Sequence, residues 1–143
     1  MPRMAITIDT TTPFGERAGR RLRDEHVAWL VTVSPAGQPQ PSPIWFEWDG
    51  SSILVYSKPD TPKLRNIAAN PRVSLHLDGN GAGGDIVIVS GTAELSDDPA
   101  ADAVDGYIAK YRPLIERNGW TPAVFAADYS VALRIDPTRL RGW

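Results

Sequence analysis

Five residues suited to holding an anion fall between positions 57 and 65: Ser57, Lys58, Thr61, Lys63 and Arg65. They lie in the stretch Ile53 to Pro71, ILVYSKPDTPKLRNIAANP, which predicts a strand, a tight polar loop and a short helix. Ile53 to Tyr56 is an apolar, β-prone run, and Pro59-Asp60 breaks it. Thr61 is placed as a helix N-cap, with Pro62 at the first helical position, where a missing N–H costs nothing. Asn70-Pro71 closes the helix. Free N–H groups and the helix dipole favour negative charge at such a start. The chemistry to expect is a phosphate seat at the strand-to-helix junction. Lysines after a strand more commonly keep a loop soluble, so the junction needs support from the rest of the chain.

Other chemistries find few residues. The 143-residue chain has no cysteine, which removes disulfides, thiolate nucleophiles and cysteine-ligated metals. His26 and His76 are the only histidines and belong to no metal-ligand pattern, so no metal is expected. There is no GxSxG elbow. Asp97-Asp98 reads as helix-capping carboxylates rather than an acid–base pair. Gly79 to Gly84, GNGAGG, fits neither nucleotide-loop pattern. A net charge of −2 gives no support for nucleic-acid or polybasic membrane contact. No run suits a signal peptide or a membrane span, so the expected location is the cytoplasm. A chain with an anion seat, aromatic residues and little acid–base equipment can delegate its chemistry to a bound cofactor. A phosphorylated ring cofactor fits, with its phosphate at the junction and aromatics alongside its ring.

The elements that must position this junction follow from patterning. The length suits one domain over residues 1–143. Thr12-Pro13 starts a helix whose apolar stripe is Phe14, Ala18 and Leu22, with Arg17, Arg20, Arg21 and Arg23 as a solvated face. Val27 to Ser34 is a strand, and Gln38 to Asp49 a second extended run. Pro39, Pro41 and Pro43 put that run on an edge. Asp49-Gly50 predicts a hairpin turn that pairs it with Ile53 to Lys58 and brings Ser42 to Trp45 near Tyr56 to Lys58. Arg72 to Asp78 and Asp85 to Leu95 are further strands, the latter with a bulge or bend at Gly91. Asp98-Pro99 begins a helix in which Val104, Ile108 and Tyr107 or Tyr111 are buried, and Pro113 should kink or break it. A short helix over 122–127 and a last strand, Tyr129 to Ile135, precede a turn at Asp136-Pro137. The expectation is a mainly β, α+β domain: a six-stranded antiparallel barrel with flanking helices.

The run VAWLVTVSPAGQPQPSPIWFEWDGSSILVYSKPDTPKLRNIAANPRVSLHL resembles the core of the split β-barrel flavin-binding proteins related to pyridoxamine 5'-phosphate oxidase. The likeness extends through Gly91-Thr92-Ala93-Glu94-Leu95, and its order of TxxxxGxPxxxPxW, YSxxxxxKxxNI, NPRVSL and GxAEL is distinctive. Within that family the chain is similar to the actinobacterial branch that uses the deazaflavin coenzyme F-420 rather than FMN, down to its RLRGW tail. The resemblance implies an FMN-binding-type split barrel and a homodimer with the cofactor in a groove between subunits. It implies that Ser42, Pro43, Ile44 and Trp45 line the ring, and that Tyr56, Ser57 and Lys58 sit at the ribityl and phosphate end. Lys63 falls on the family's phosphate-binding lysine. Pro62 stands where FMN oxidases carry arginine, and Ile86 where some carry a ring-contacting glutamine; both departures weaken the FMN alternative. The loop Asn80 to Asp85 is a candidate border of the ring or substrate. The function implied is hydride transfer from reduced F-420 to a small electron-poor organic molecule such as an enone or quinone. An FMN-binding oxidase or reductase, or a non-catalytic F-420 carrier, are the alternatives.

Overall fold

The structure, a computed structural model, describes residues 6–143; the opening Met1 to Ala5 of the N-terminal stretch lies outside them. The elements in chain order are α1 (Pro13–Asp24), β1 (Ala28–Val33), β2 (Pro39–Ile44), β3 (Glu47–Trp48), β4 (Ile53–Ser57), α2 (Pro62–Ala69), β5 (Arg72–His76), β6 (Val87–Leu95), α3 (Asp105–Arg117), α4 (Pro122–Asp128) and β7 (Val131–Gly142). The seven strands form one antiparallel sheet in the order β2-β1-β5-β6-β7-β4-β3. Its two edge strands, β2 and β3, are separated in the chain only by Trp45 and Phe46. The sheet must therefore curl until its edges nearly meet, which makes a barrel with a split between them. No helix among the described residues is long and apolar enough to cross a membrane.

Two clusters of buried side chains hold this shape. Leu30, Phe46, Ile53, Val55, Leu75, Val89, Leu133 and Ile135 fill the barrel interior, with Ala18 and Leu22 of α1 packed against them. A second cluster lies on the other face of β4, where Leu54 and Tyr56 meet Tyr107, Tyr111 and Ile115 of α3 and Phe125 of α4. All five residues of β4 are buried because both of its faces are covered. This explains why β4 reads as a continuous apolar run rather than an alternating one.

The sequence expectations hold at two of the caps and fail where side chains choose other partners. Thr12 and Thr121 cap α1 and α4, accepting hydrogen bonds from the N–H groups of Gly15 and Val124 at 3.0 and 3.2 Å. Asp49 Oδ1 closes the hairpin turn by accepting from the N–H groups of Ser51 and Ser52. That hairpin, however, pairs only Glu47-Trp48 with Ile53-Leu54; β2 turns away and pairs with β1. The extended run is thus two strands on opposite edges, and the strand count is seven rather than six. The last strand does not turn at Asp136-Pro137 but runs on to Gly142. The shift in register at Ser90/Gly91 leaves Thr138 as an extra residue, so Pro137 fits into the ladder at a bulge. Gly91 is required there: a Cβ would come within 2.4 Å of the Asp136 carbonyl oxygen.

Three further expectations are corrected. Asp98 caps no helix, because its carboxylate is held by Arg134 at 2.8 and 2.9 Å; a short 3-10 turn, Ala101–Ala103, precedes α3 instead. Pro113 does not break α3, whose buried Tyr107, Tyr111 and Ile115 hold it against the sheet while Pro113 faces solvent. Arg21 is not on a solvated face: it is 9% exposed and donates to the carbonyls of Asp78 and Asp85, clamping both ends of the glycine-rich loop. Glu25 and Asp85 flank the guanidinium and offset its burial.

Candidate functional site

The expected anion seat lies between β4 and α2, and its parts are used differently from the expectation. Ser57 is buried and its hydroxyl donates to the Lys58 carbonyl at 2.8 Å. Ser57 Oγ has then spent its proton, so the 3.1 Å contact with Thr61 is a bond donated by the Thr61 hydroxyl. Thr61 occupies the N-cap position of α2, yet its side chain caps nothing because it is turned towards Ser57. Arg65 is not in the seat either: its guanidinium donates to the carbonyl of Asp60 at 2.5 Å, across a residue with φ of 60°. Lys58 is exposed, with its ammonium 5.5 Å from the Tyr129 ring centre.

Lys63 is the residue left for a ligand. It is half-buried, and among the described residues its ammonium has no carboxylate or hydrogen-bond partner. Burial alone holds it below the ordinary lysine range. Lys63 lines two cavities, of about 240 and 440 Å³. The larger is bounded by Pro62, by Thr32 of β1, and by Gln40 and Ser42 of the edge strand β2. Ser42 Oγ is buried there with no hydrogen-bond partner among the described residues. The smaller is bounded by Pro43, Ile44 and Trp45 on one side of the split and by Tyr56 on the other. The two segments do come together, then, across the split rather than across a hairpin ladder.

Asn66 fixes the position of Lys63, one turn away on α2. Its buried amide donates to Thr32 Oγ1 at 3.0 Å and Gln40 Oε1 at 2.7 Å, tying the helix to β1 and β2. Sequence reasoning passed over it, although it stands in the NI of the quoted YSxxxxxKxxNI. The far wall of the smaller cavity was missed as well. It is made by Tyr107, Phe125, Trp120 and Tyr129, from α3, α4 and their flanks. Trp45 stacks on Tyr111 at 4.8 Å and 6°, and Phe125 lies 5.4 Å from Trp45 and 4.6 Å from Tyr129. The signal was a set of aromatics beyond Leu95, where the quoted resemblance stops. Ile86 and the loop Asn80 to Asp85 line neither cavity; Arg21 and the Trp143 indole, which donates to the Gly83 carbonyl at 2.9 Å, tie down that loop. Among the described residues no group of three or more His, Asp or Glu could hold a metal ion.

The family model for pyridoxamine 5'-phosphate oxidase matches residues 14–143, from the first helix to the last residue. The chain belongs to the pyridoxamine 5'-phosphate oxidase family. Solved relatives share the split barrel. An F-420 reductase is 28% identical with a TM-score of 0.64, over 85% of this chain and 94% of its own. A conserved protein of Mycobacterium tuberculosis is 25% identical with a TM-score of 0.69, over 100% and 89%. General stress protein 26 of Bacillus anthracis, at 18% identity and a TM-score of 0.62 over 87% and 89%, is alike in fold alone. No curated protein matches the sequence. Membership of the pyridoxamine 5'-phosphate oxidase family makes the chain a flavin- or deazaflavin-binding oxidoreductase in kind.

Proposed function

We propose that the protein is an F-420-dependent reductase that passes a hydride to a small electron-poor organic acceptor. One observation carries the reading: Lys63 is a half-buried cation with no partner among the described residues, shared by two cavities. A half-buried charge without a protein partner is partly desolvated, and an anionic group at this place offsets that cost. The residues present fit a cofactor with a ring and an anionic tail. Lys63 would hold the anion, Ser42 Oγ would gain the partner it lacks, and Pro43, Ile44 and Trp45 would flank the ring. Tyr56 would face it from across the split. Ser57 and Thr61 shape the loop by bonding to each other, and Lys58 adds positive charge at the rim.

The deazaflavin is favoured over FMN by the similarity to an F-420 reductase and by Pro62, which stands where the resemblance implies an arginine in FMN oxidases. When bound in reduced form, such a coenzyme would supply a hydride, with the accompanying proton coming from solvent or a ring hydroxyl. The protein orients the two reactants and keeps water from the reacting faces. The unpaired outer edge of β2, beside the larger cavity, supports a homodimer in which a second copy completes the groove.

Separate titrations with F-420 and FMN test the assignment through tryptophan fluorescence, since Trp45 and Trp120 line the smaller cavity. F-420 should quench saturably and more tightly than FMN. The reverse order would transfer the reading to an FMN enzyme of the same fold. Saturable F-420 binding without turnover across enones and quinones would make the protein a carrier.

A further inference from the structure

The backbone around the larger cavity offers an anion little help. The Ser34 N–H donates to the Gln38 carbonyl at 2.9 Å, which sets the alternation of the ladder between β1 and β2. Gln40, Ser42 and Ile44 therefore turn their N–H groups towards β1, opposite Thr32, Leu30 and Ala28. The residues between them, Pro39, Pro41 and Pro43, have no N–H. The outer edge of β2 is thus a row of carbonyl oxygens without a donor. Pro62, across the cavity in the first turn of α2, has no N–H either. Donors for an anion here have to come from side chains.

Lys63 supplies one such donor. Gln40 lines the same cavity and is exposed, so a ligand can reach it. A glutamine amide can offer either its oxygen or its N–H2 group. Asn66 decides which. Its buried amide nitrogen donates to Gln40 Oε1 at 2.7 Å and to Thr32 Oγ1 at 3.0 Å, so both of its protons are spent. The Gln40 oxygen is held against Asn66, and the Gln40 N–H2 group is turned away from it. That group has no hydrogen-bond partner among the described residues.

We propose that Gln40 binds the anionic group held by Lys63, donating from its side-chain amide, and that Asn66 is the positioning residue that keeps the donor side of that amide outward. The ligand class is a tetrahedral oxyanion, whether the phosphoryl group of a cofactor or a free phosphate. Lys63 contributes a point charge, and Gln40 adds a directed bond to it. This deepens the F-420 reading and rests on it for the identity of the cofactor, while the oxyanion site stands independently.

The experiment titrates the full chain calorimetrically with sulfate at constant ionic strength, and in parallel with F-420. Sulfate is tetrahedral and keeps its charge over the pH range used. Gln40→Glu keeps the acceptor that Asn66 needs and replaces the donor by a carboxylate oxygen. It should weaken sulfate at least about tenfold and leave the melting temperature within about 2 °C. Gln40→Met adds no charge and should still weaken sulfate about three- to tenfold. Asn66→Asp reverses the polarity, since its carboxylate accepts from Gln40 and turns the Gln40 oxygen outward. Sulfate affinity should fall at least about tenfold near pH 7.5 and recover in part near pH 5, where the new carboxyl regains a proton to donate. The wild type should change less than about twofold over that range. Unchanged affinity in Gln40→Met, no recovery in Asn66→Asp, or no sulfate binding by the wild type would overturn the proposal. If F-420 does not bind while sulfate follows this pattern, the coenzyme assignment fails and the oxyanion site stands. If F-420 binds and Gln40→Met leaves its affinity unchanged, the role of Gln40 fails and the coenzyme assignment stands.

Discussion

Lys63 and Lys110 are both half-buried, and burial lowers the pKa of each. What surrounds them differs. Lys110, on α3, donates to the Phe46 carbonyl at 2.8 Å, and its ammonium lies 3.9 and 5.3 Å from the ring centres of Phe46 and Tyr111. Phe46 is half of the two-residue crossover that joins the edges of the barrel. Tyr111 holds the same residue from the other side, accepting from its N–H at 2.7 Å. The protein supplies Lys110 with its own partners, and the ammonium fastens the split. Among the described residues it supplies Lys63 with none. Partial burial is therefore shared by a structural lysine and by the lysine proposed to hold an anion. The satisfaction of the group, rather than its burial, separates the two.

The largest way to break this contrast is on the Lys110 side, without touching a charge. Tyr111→Ala removes a fully buried ring, its stack on Trp45 and its bonds to Phe46 and His26. The expected loss is about 3–5 kcal/mol of unfolding free energy by urea titration. A loss below about 1 kcal/mol would mean that the crossover is held by something else. The opposite arm comes next in size. Lys63→Ala should cost about 1.5–3 kcal/mol of F-420 affinity and leave stability within about 0.5 kcal/mol. Unchanged affinity would remove Lys63 from the site, and a stability loss comparable with that of Tyr111→Ala would erase the distinction between the lysines.

How much of this was legible depended on how far each residue's partner lies along the chain. Caps reach three residues, and Thr12 and Thr121 were readable from the Thr-Pro pairs alone. The edge position of β2 followed from its prolines, and the bulge from Gly91. The family motifs singled out Lys63 and the segments 42–45 and 56–58, of which Lys63, residues 42–45 and Tyr56 line the two cavities while Ser57 and Lys58 do not. Arg21 was not, because its partners, the carbonyls of Asp78 and Asp85, lie 57 and 64 residues away and a carbonyl has no side-chain signature. The split of Gln38 to Asp49 into strands on opposite edges was equally hidden, since either half alternates like one continuous strand. Tyr107 was legible as a buried residue, but not as one whose hydroxyl lacks a hydrogen-bond partner among the described residues. That property depends on what fails to arrive from β4 and α4, which no local pattern records.

The finest test of the comparison is the pH dependence of stability. The Lys110 pKa is pushed down to about 8 in the folded protein from an ordinary value of 10.5, mainly by burial. Below about pH 8 both folded and unfolded chains carry the proton, and the cost of burying the charge is constant. Between about 8 and 10.5 the unfolded chain holds more protons than the folded one, so stability rises with pH across that window. The tyrosines act in the opposite sense above about pH 10. Tyr56, for example, is pushed up to about 12, so the folded state keeps a proton that the unfolded state loses, and stability falls. The clean interval is therefore pH 8 to 10. Urea unfolding of the wild type should show rising stability there, and Lys110→Met should flatten the rise. Lys63, lowered in the same direction, contributes a smaller share, so Lys63→Ala should leave most of the slope in place. A slope that followed Lys63 rather than Lys110 would mean that the answered lysine had been misidentified. The partners assigned to Lys110 at Phe46 would then not be what distinguishes the two sites.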